Sequence, residues 1–141
     1  MKSSFFLILF YIVTSNFLLA DQLDIKANNI KIDKKTNITI FENNVEIVDQ
    51  FKNIINADYV EFDKKNNFLK LKGNIYSKDF KGNIFKSNEA TYDNNNEIFQ
   101  SFGETLIETL EGYIIETKNI TIDNKNSLIT TNDKSLIKDK E

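Results

Sequence analysis

The chain repeats itself every 30 residues, and that period constrains the fold more than any other feature. Ala27–Asp33 (ANNIKID), Ala57–Asp63 (ADYVEFD), Ser87–Asp93 (SNEATYD) and Thr117–Asp123 (TKNITID) are ungapped copies, so Asp33, Asp63, Asp93 and Asp123 are equally spaced. Ile25, Ile55, Phe85 and Ile115 keep the same period, as do Ile30, Val60, Ala90 and Ile120, and then Ile32, Phe62, Tyr92 and Ile122. Gly73 pairs with Gly103 at this spacing, and Gly82 with Gly112. Such a period marks a stacked-repeat architecture, in which one unit cannot bury its own apolar face.

Within each copy the pattern is β. Ile, Val, Phe, Tyr and Thr alternate with Lys, Asn, Asp and Glu at period two, and no stretch from Leu23 onward carries a helical stripe. The segments 33–37, 63–67, 93–97 and 123–127 are rich in Asp, Asn and Lys. Asx side chains bond their own backbone two residues on and tolerate left-handed conformations, so each segment joins two antiparallel strands. The alternation slips inside each copy. Ile25 and Ala27 share one parity and Ile30 and Ile32 the other; Ile55 and Ala57 stand against Val60 and Phe62 in the same way. This predicts a bulge or bend near 28–29 and 58–59. A second slip is read from Ile38 and Ile40 to Val45 and Ile47 across Asn43-Asn44, matched by Gly73-Asn74 and Gly103-Glu104. The expected fold is all-β: an elongated jelly-roll-like stack of about eight antiparallel bent strands, with an apolar interior and free edges at both ends.

The last copy departs from the pattern, with Thr131, Asp133 and Ser135 at positions where apolar residues or Gly are expected, and 138–141 is a charged tail. It reads equally as a polar cap or as a chain continuing further. Residues 1–20 are of another kind. Lys2 precedes the apolar run Phe5–Val13, and Ala20 stands before Asp21, the pattern of a secretory signal peptide that is too short for a membrane span. Leu18 is bulkier than cleavage favours, which leaves retention as an N-terminal anchor as the alternative. The domain proper is expected over 21–137.

Composition excludes much chemistry. The chain has no His, Cys, Trp or Pro, and every basic residue is Lys. The commonest general base, the thiolate nucleophile and the usual zinc ligands are missing, so an enzyme is not expected, nor a cofactor or metal. A formal charge of -3 argues against a nucleic-acid groove. The aspartates of the turns are read as turn formers rather than calcium ligands, since these turns have no Gly to shape a cation loop. Glu104 and Glu108 are read as solvated.

One repeat carries a resemblance. Ala57, Val60, Phe62, Asp63, Asn67, Gly73, Asn74 and Ile75 form the pattern Ala-x-x-apolar-x-aromatic-Asp, a polar turn with Asn, then Gly-Asn-Ile. This resembles the repeat of the OstA-like (LptA) family of lipopolysaccharide-transport proteins, over about residues 22–137. Asn43 and Asp133 replace the Gly of the outer copies, and Ser87 and Thr117 replace the Ala. The resemblance implies an exported, periplasmic β-jelly-roll, associated with outer-membrane biogenesis, that binds lipopolysaccharide without chemistry of its own. It implies partners of the same fold joined by strand-edge pairing, and self-association. It fits both the soluble bridge protein and the N-terminal periplasmic domain of the outer-membrane assembly barrel. A β-solenoid surface scaffold is the alternative of another class. The residues expected to line the lipid groove are Ile25, Ile30, Ile32, Ile55, Val60, Phe62, Phe85, Tyr92, Phe99, Ile115, Ile120 and Ile122, which are core residues first.

Overall fold

The computed structural model describes residues 23–139. The expected signal peptide, 1–20, lies outside them. The described chain consists of β1 (Asp24–Lys26), β2 (Asn29–Asp33), β3 (Ile38–Val48), β4 (Ile54–Asp63), β5 (Phe68–Lys78), β6 (Ile84–Asp93), β7 (Ile98–Phe102), β8 (Glu104–Glu108), β9 (Tyr113–Lys118), β10 (Ile120–Asp123), β11 (Leu128–Thr131) and β12 (Leu136–Asp139). All pairing is antiparallel, in the order β1-β3-β4-β5-β6-β7-β10-β11, with β2 on β3, β8 between β6 and β9, and β12 on β9. The segments amount to eight long strands, each next to its sequence neighbour. Strands β3 to β6 run unbroken through a corner, while β1/β2, β7/β8, β9/β10 and β11/β12 are interrupted there. The sheet is not closed. Among the described residues β1 and β2 pair only with β3, β11 pairs only with β10, and β12 only with β9.

The corner has a local cause. Asn43 (φ 65°), Asn44 (φ 54°), Gly73 (φ 75°), Asn74 (φ 46°), Gly103 (φ 80°) and Asn119 (φ 48°) adopt left-handed backbone along one line across the sheet. Gly and Asn enter that region at least cost. Along the same line the register steps by one residue: Glu42 faces Tyr59 but Val45 faces Ala57, and Lys72 faces Glu89 but Ile75 faces Ser87. One extra residue on one strand bends the ladder. A Cβ at Gly73 would lie 2.5 Å from Asp58 Oδ2, so a side chain there has to displace the Asp58 carboxylate. That oxygen accepts a hydrogen bond from Asn74 Nδ2 at 2.7 Å, which ties the corner of β5 to β4.

The bend folds the sheet into two layers. One holds β2, the first halves of β3 and β5, the second halves of β4 and β6, and β7, β10 and β11. The other holds β1, the remaining halves of β3 to β6, and β8, β9 and β12. Viewed along the stack the section is a V, with its apex at the corner and its mouth between the turns. Val45, Val60, Leu69, Leu71, Ile75, Ala90 and Ile120 are fully buried within it. The small residues Ala57, Ser87, Ala90 and Ser101 are buried beside them. In the later repeats hydroxyls replace methyls but satisfy each other: Ser101 Oγ and Thr105 Oγ1 lie 2.7 Å apart, and Ser135 Oγ donates to Thr117 Oγ1 at 2.9 Å. Outside, Lys–Glu pairs such as Lys70–Glu61 (3.1 Å) and Lys86–Glu108 (2.8 Å) cross between neighbouring strands, a weak addition at exposed positions.

One expected slip takes a different form. The inward face of β4 changes parity at the corner, from Ile55 and Ala57 to Val60, as the alternation predicts. On β3 and β5 it does not: Phe41 and Val45 are buried with the same parity, as are Leu71 and Ile75. The extra residue sits on these strands and restores their phase. Ile38 and Ile40 therefore share rows with Asp63 and Glu61 on the outer face, where they are half-buried.

Candidate functional site

The antiparallel register assembles the repeated residues into rows across the sheet. Ile25, Ile47, Ile55, Ser77, Phe85, Ile107, Ile115 and Ile137 form one row of the second layer. Ile30, Phe41, Val60, Leu71, Ala90, Ser101 and Ile120 form a row of the first, and Ile32, Thr39, Phe62, Leu69, Tyr92, Phe99, Ile122 and Ile129 form the next. All twelve expected groove residues thus stand on inward rows, for the simple reason that a 30-residue step is a whole number of strand pairs.

They do not share one environment. Val60 and Ile120 are sealed in the apex. Ile55, Phe85, Tyr92 and Phe99 are buried near the mouth, and Ile25, Phe62, Ile115 and Ile122 are half-buried against the core. Ile30 and Ile32, on the edge strand β2, are 52% and 69% exposed. At the opposite edge Ile129 and Ile137 are exposed as well.

Between the layers, at the mouth, lies a cleft of about 250 Å³. Ile55, Phe85, Tyr92, Phe99 and Ile122 line it. Phe85 of one layer meets Phe99 of the other edge-on, with ring centroids 4.8 Å apart, so the two layers touch there. The cleft volume is near the lower end for small-ligand pockets. Leu23, Ile47, Ile107 and Ile129 also line it and are not among the twelve expected groove residues. The signal was there for three of them. Ile47, Ser77, Ile107 and Ile137 repeat at 30 residues, as do Leu69, Phe99 and Ile129, but on the alternate strands of each copy.

The lips of the mouth are two sets of turns, built differently. On the first layer Asp33, Asp63, Asp93 and Asp123 each fold their own turn. Asp63 Oδ1 accepts hydrogen bonds from the amides of Lys65 (3.0 Å) and Asn66 (3.1 Å), and Asp93 Oδ1 from those of Asn95 and Asn96. Asn37, Asn67, Glu97 and Ser127 then close the turns in left-handed backbone. Each donor favours the ionised carboxylate and lowers its pKa. The backbone amides lead for Asp33 and Asp63, and the Asn96 and Asn126 side chains for Asp93 and Asp123. Consecutive turns are linked, since Lys64 N donates to Asn37 O at 3.2 Å and Asn94 N to Asn67 O at 3.1 Å. These carboxylates are engaged by their own chain.

On the second layer the turns are 49–53, 79–83 and 109–113. Asp49 Oδ1 accepts from the amides of Phe51 (2.8 Å) and Asn53 (2.9 Å), and Asp79 Oδ1 from that of Asn83 (2.8 Å). Asn53 Oδ1 reaches the next turn and accepts from Phe80 N at 2.9 Å; Asn83 Oδ1 accepts from Leu110 N at 2.9 Å. Lys52, Gly82 and Gly112 hold equivalent left-handed positions, with φ of 70°, 97° and 95°. These turns went unremarked in the sequence, though Asp49-x-x-x-Asn53 and Asp79-x-x-x-Asn83 keep the period.

The geometry offers an apolar slot between two rims of self-bonded turns, with two open ends. Among the described residues no helix is long and apolar enough to cross a membrane. No protein-family model matches the sequence, and no curated protein matches it. The solved structures do. The chain is similar to the crystal structure of LptH, the LptA-homologous periplasmic component of the conserved lipopolysaccharide transport device from Pseudomonas aeruginosa. The match has a TM-score of 0.71 at 11% identity and covers 86% of this chain and 96% of that one. The chain therefore has the LptA-like fold that the repeat resembles.

Proposed function

We propose that this chain is a non-enzymatic component of a periplasmic bridge. It binds lipopolysaccharide and passes it toward the outer membrane, with acyl chains in the slot between the two layers. The observation that carries this reading is the run of inward rows from one open edge to the other. Ile30 and Ile32 at one end, and Ile129 and Ile137 at the other, stay exposed where a closed fold would cover them. Such ends serve if a second molecule of the same fold continues the sheet. The unpaired N–H and C=O groups of β1/β2 and β11/β12 give it a template, and the slot then runs on across the joint. Acyl chains need no polar recognition, only apolar walls and an opening. The likeness to LptH supports the same reading. A scaffold would favour a filled interior, whereas here a cleft stays open at the mouth.

Within the slot a lipid acts by parting the layers at Phe85 and Phe99. The edge strands set the assembly: β1, carrying Ile25, is an edge, but Ile115 lies on β9, which β8 and β12 flank. The C-terminal edge residue of that row is Ile137. The protein isolated from a periplasmic extract should carry lipopolysaccharide well above a mock exported protein. Self-association in light scattering should drop in Ile25→Lys and Ile137→Lys. A protein that isolates free of glycolipid and does not take it up in vitro would refute the role.

A further inference from the structure

The two lips carry opposite surfaces. Between the aspartates and the left-handed residues of the first layer stand Lys34-Lys35-Thr36, Lys64-Lys65-Asn66, Asn94-Asn95-Asn96 and Asn124-Lys125-Asn126, all polar. The turns of the second layer carry large apolar side chains at their tips: Phe51, Phe80 and Leu110, which are 52%, 66% and 70% exposed. Successive turns of one lip are two strands apart, so the tips are spaced by about 10 Å along the rim. Isolated exposed apolar residues are ordinary, but a periodic row of them on otherwise polar turns marks an interaction surface.

Three observations favour a lipid bilayer as its partner. First, the amide of every tip residue is already satisfied inside the protein: Phe51 N by Asp49 Oδ1, Phe80 N by Asn53 Oδ1 and Leu110 N by Asn83 Oδ1, at 2.8, 2.9 and 2.9 Å. Backbone entering the apolar boundary of a membrane is costly only where its polar groups are unpaired. Second, Lys52 follows Phe51 and Lys81 follows Phe80, with Lys81 Nζ 5.6 Å from the Phe80 ring centroid. A ring reaching toward the acyl boundary beside an ammonium left among headgroups is the arrangement of interfacial anchors. Third, the exposed tips stand singly on separate turns, which suits a deformable lipid surface better than a second protein's contoured face. The same turns supply Asp49, Asn53, Asp79, Asn83, Thr109 and Glu111 to the cleft lining, so a bilayer touching the tips faces the slot.

The geometry points to the second-layer lip as a membrane-docking edge, with Phe51, Phe80 and Leu110 inserted at the headgroup–acyl boundary. The inference adds a bilayer to the proposed lipid-carrying role but does not require that role, since docking and slot occupancy rest on different residues. The test uses residues 21–141. Every buried apolar side chain among the described residues lies between Phe41 and Ile120, so this piece carries its own core. Cosedimentation with phosphatidylcholine vesicles, with and without phosphatidylglycerol, should show binding that survives high salt. Phe80→Ser combined with Leu110→Ser should weaken it at least tenfold, while Phe102→Ser, which removes an exposed ring of β7 away from both lips and the cleft, leaves it unchanged. The natural chain has no Trp, so Leu110→Trp is a clean depth probe whose emission should shift blue and be quenched by brominated acyl chains. Absent binding, equal binding by the double variant, or loss in Phe102→Ser would overturn the assignment. So would binding that needs anionic lipid and vanishes in salt, which would point to Lys34, Lys35, Lys64 and Lys65, or a tip-dependent dimer that ignores vesicles. Glycolipid uptake by the double variant reports on the slot alone, so the two readings fail separately.

Discussion

The apex and the mouth of the V are made from the same repeats but held by different forces. At the apex Val60 and Leu71 have no exposed surface, and the small residues Ala57 and Ala90 are buried beside them. At the mouth the ends of each layer are finished by turns that bond to themselves and to the next turn of the same lip. Side-chain packing fixes the joint, and local hydrogen bonding shapes the lips.

The contrast can be broken most severely at the apex. Leu71→Ala removes a fully buried side chain from a site with little room to collapse, and should cost about 2–5 kcal/mol in denaturant unfolding. Ile122→Ala, half-buried beside the cleft, should cost well under half of that. An equal cost for both would mean that the mouth is as tightly packed as the apex. Next comes Gly73→Ala, which puts a Cβ into left-handed backbone and against Asp58; about 1–3 kcal/mol is expected. Retaining full stability would show that the corner does not depend on that backbone. A gain is expected at the lip: Lys52→Gly relieves the left-handed position that Gly82 and Gly112 fill in the neighbouring turns, and should stabilise by about 0.5–1 kcal/mol.

Acid supplies the finest comparison. Asp33, Asp63, Asp93 and Asp123 have folded-state pKa values below the ordinary 3.8. The unfolded chain then binds protons first as pH falls, so their contribution is complete above about pH 5 and is lost as pH drops through 3.8 toward the folded values. Asp63→Asn should flatten the low-pH limb of a stability profile, whereas Leu71→Ala should lower the whole profile without changing its slope. An unchanged limb in Asp63→Asn would detach the turn carboxylates from acid sensitivity.

Much of this was legible beforehand. The period assigned Ile25, Ile55, Phe85 and Ile115 to one row, and the Asp turns and the Gly-Asn corners were readable because turn and left-handed backbone admit few residue types. The phase of β3 and β5 was not. Alternation marks Ile38 and Ile40 as apolar, but only the corner's extra residue puts them outside and Phe41 inside. The tips Phe51, Phe80 and Leu110 look like ordinary strand-end hydrophobics until the turns place them.

By itself the sequence determined the local matters: strand, turn, bend and repeat, each set by residues a few positions apart. Tertiary structure alone decided which rows face across the slot, where the layers touch at Phe85 and Phe99, and which ends stay open. Those depend on register and on the twist between layers, quantities summed over the whole sheet that no short stretch encodes.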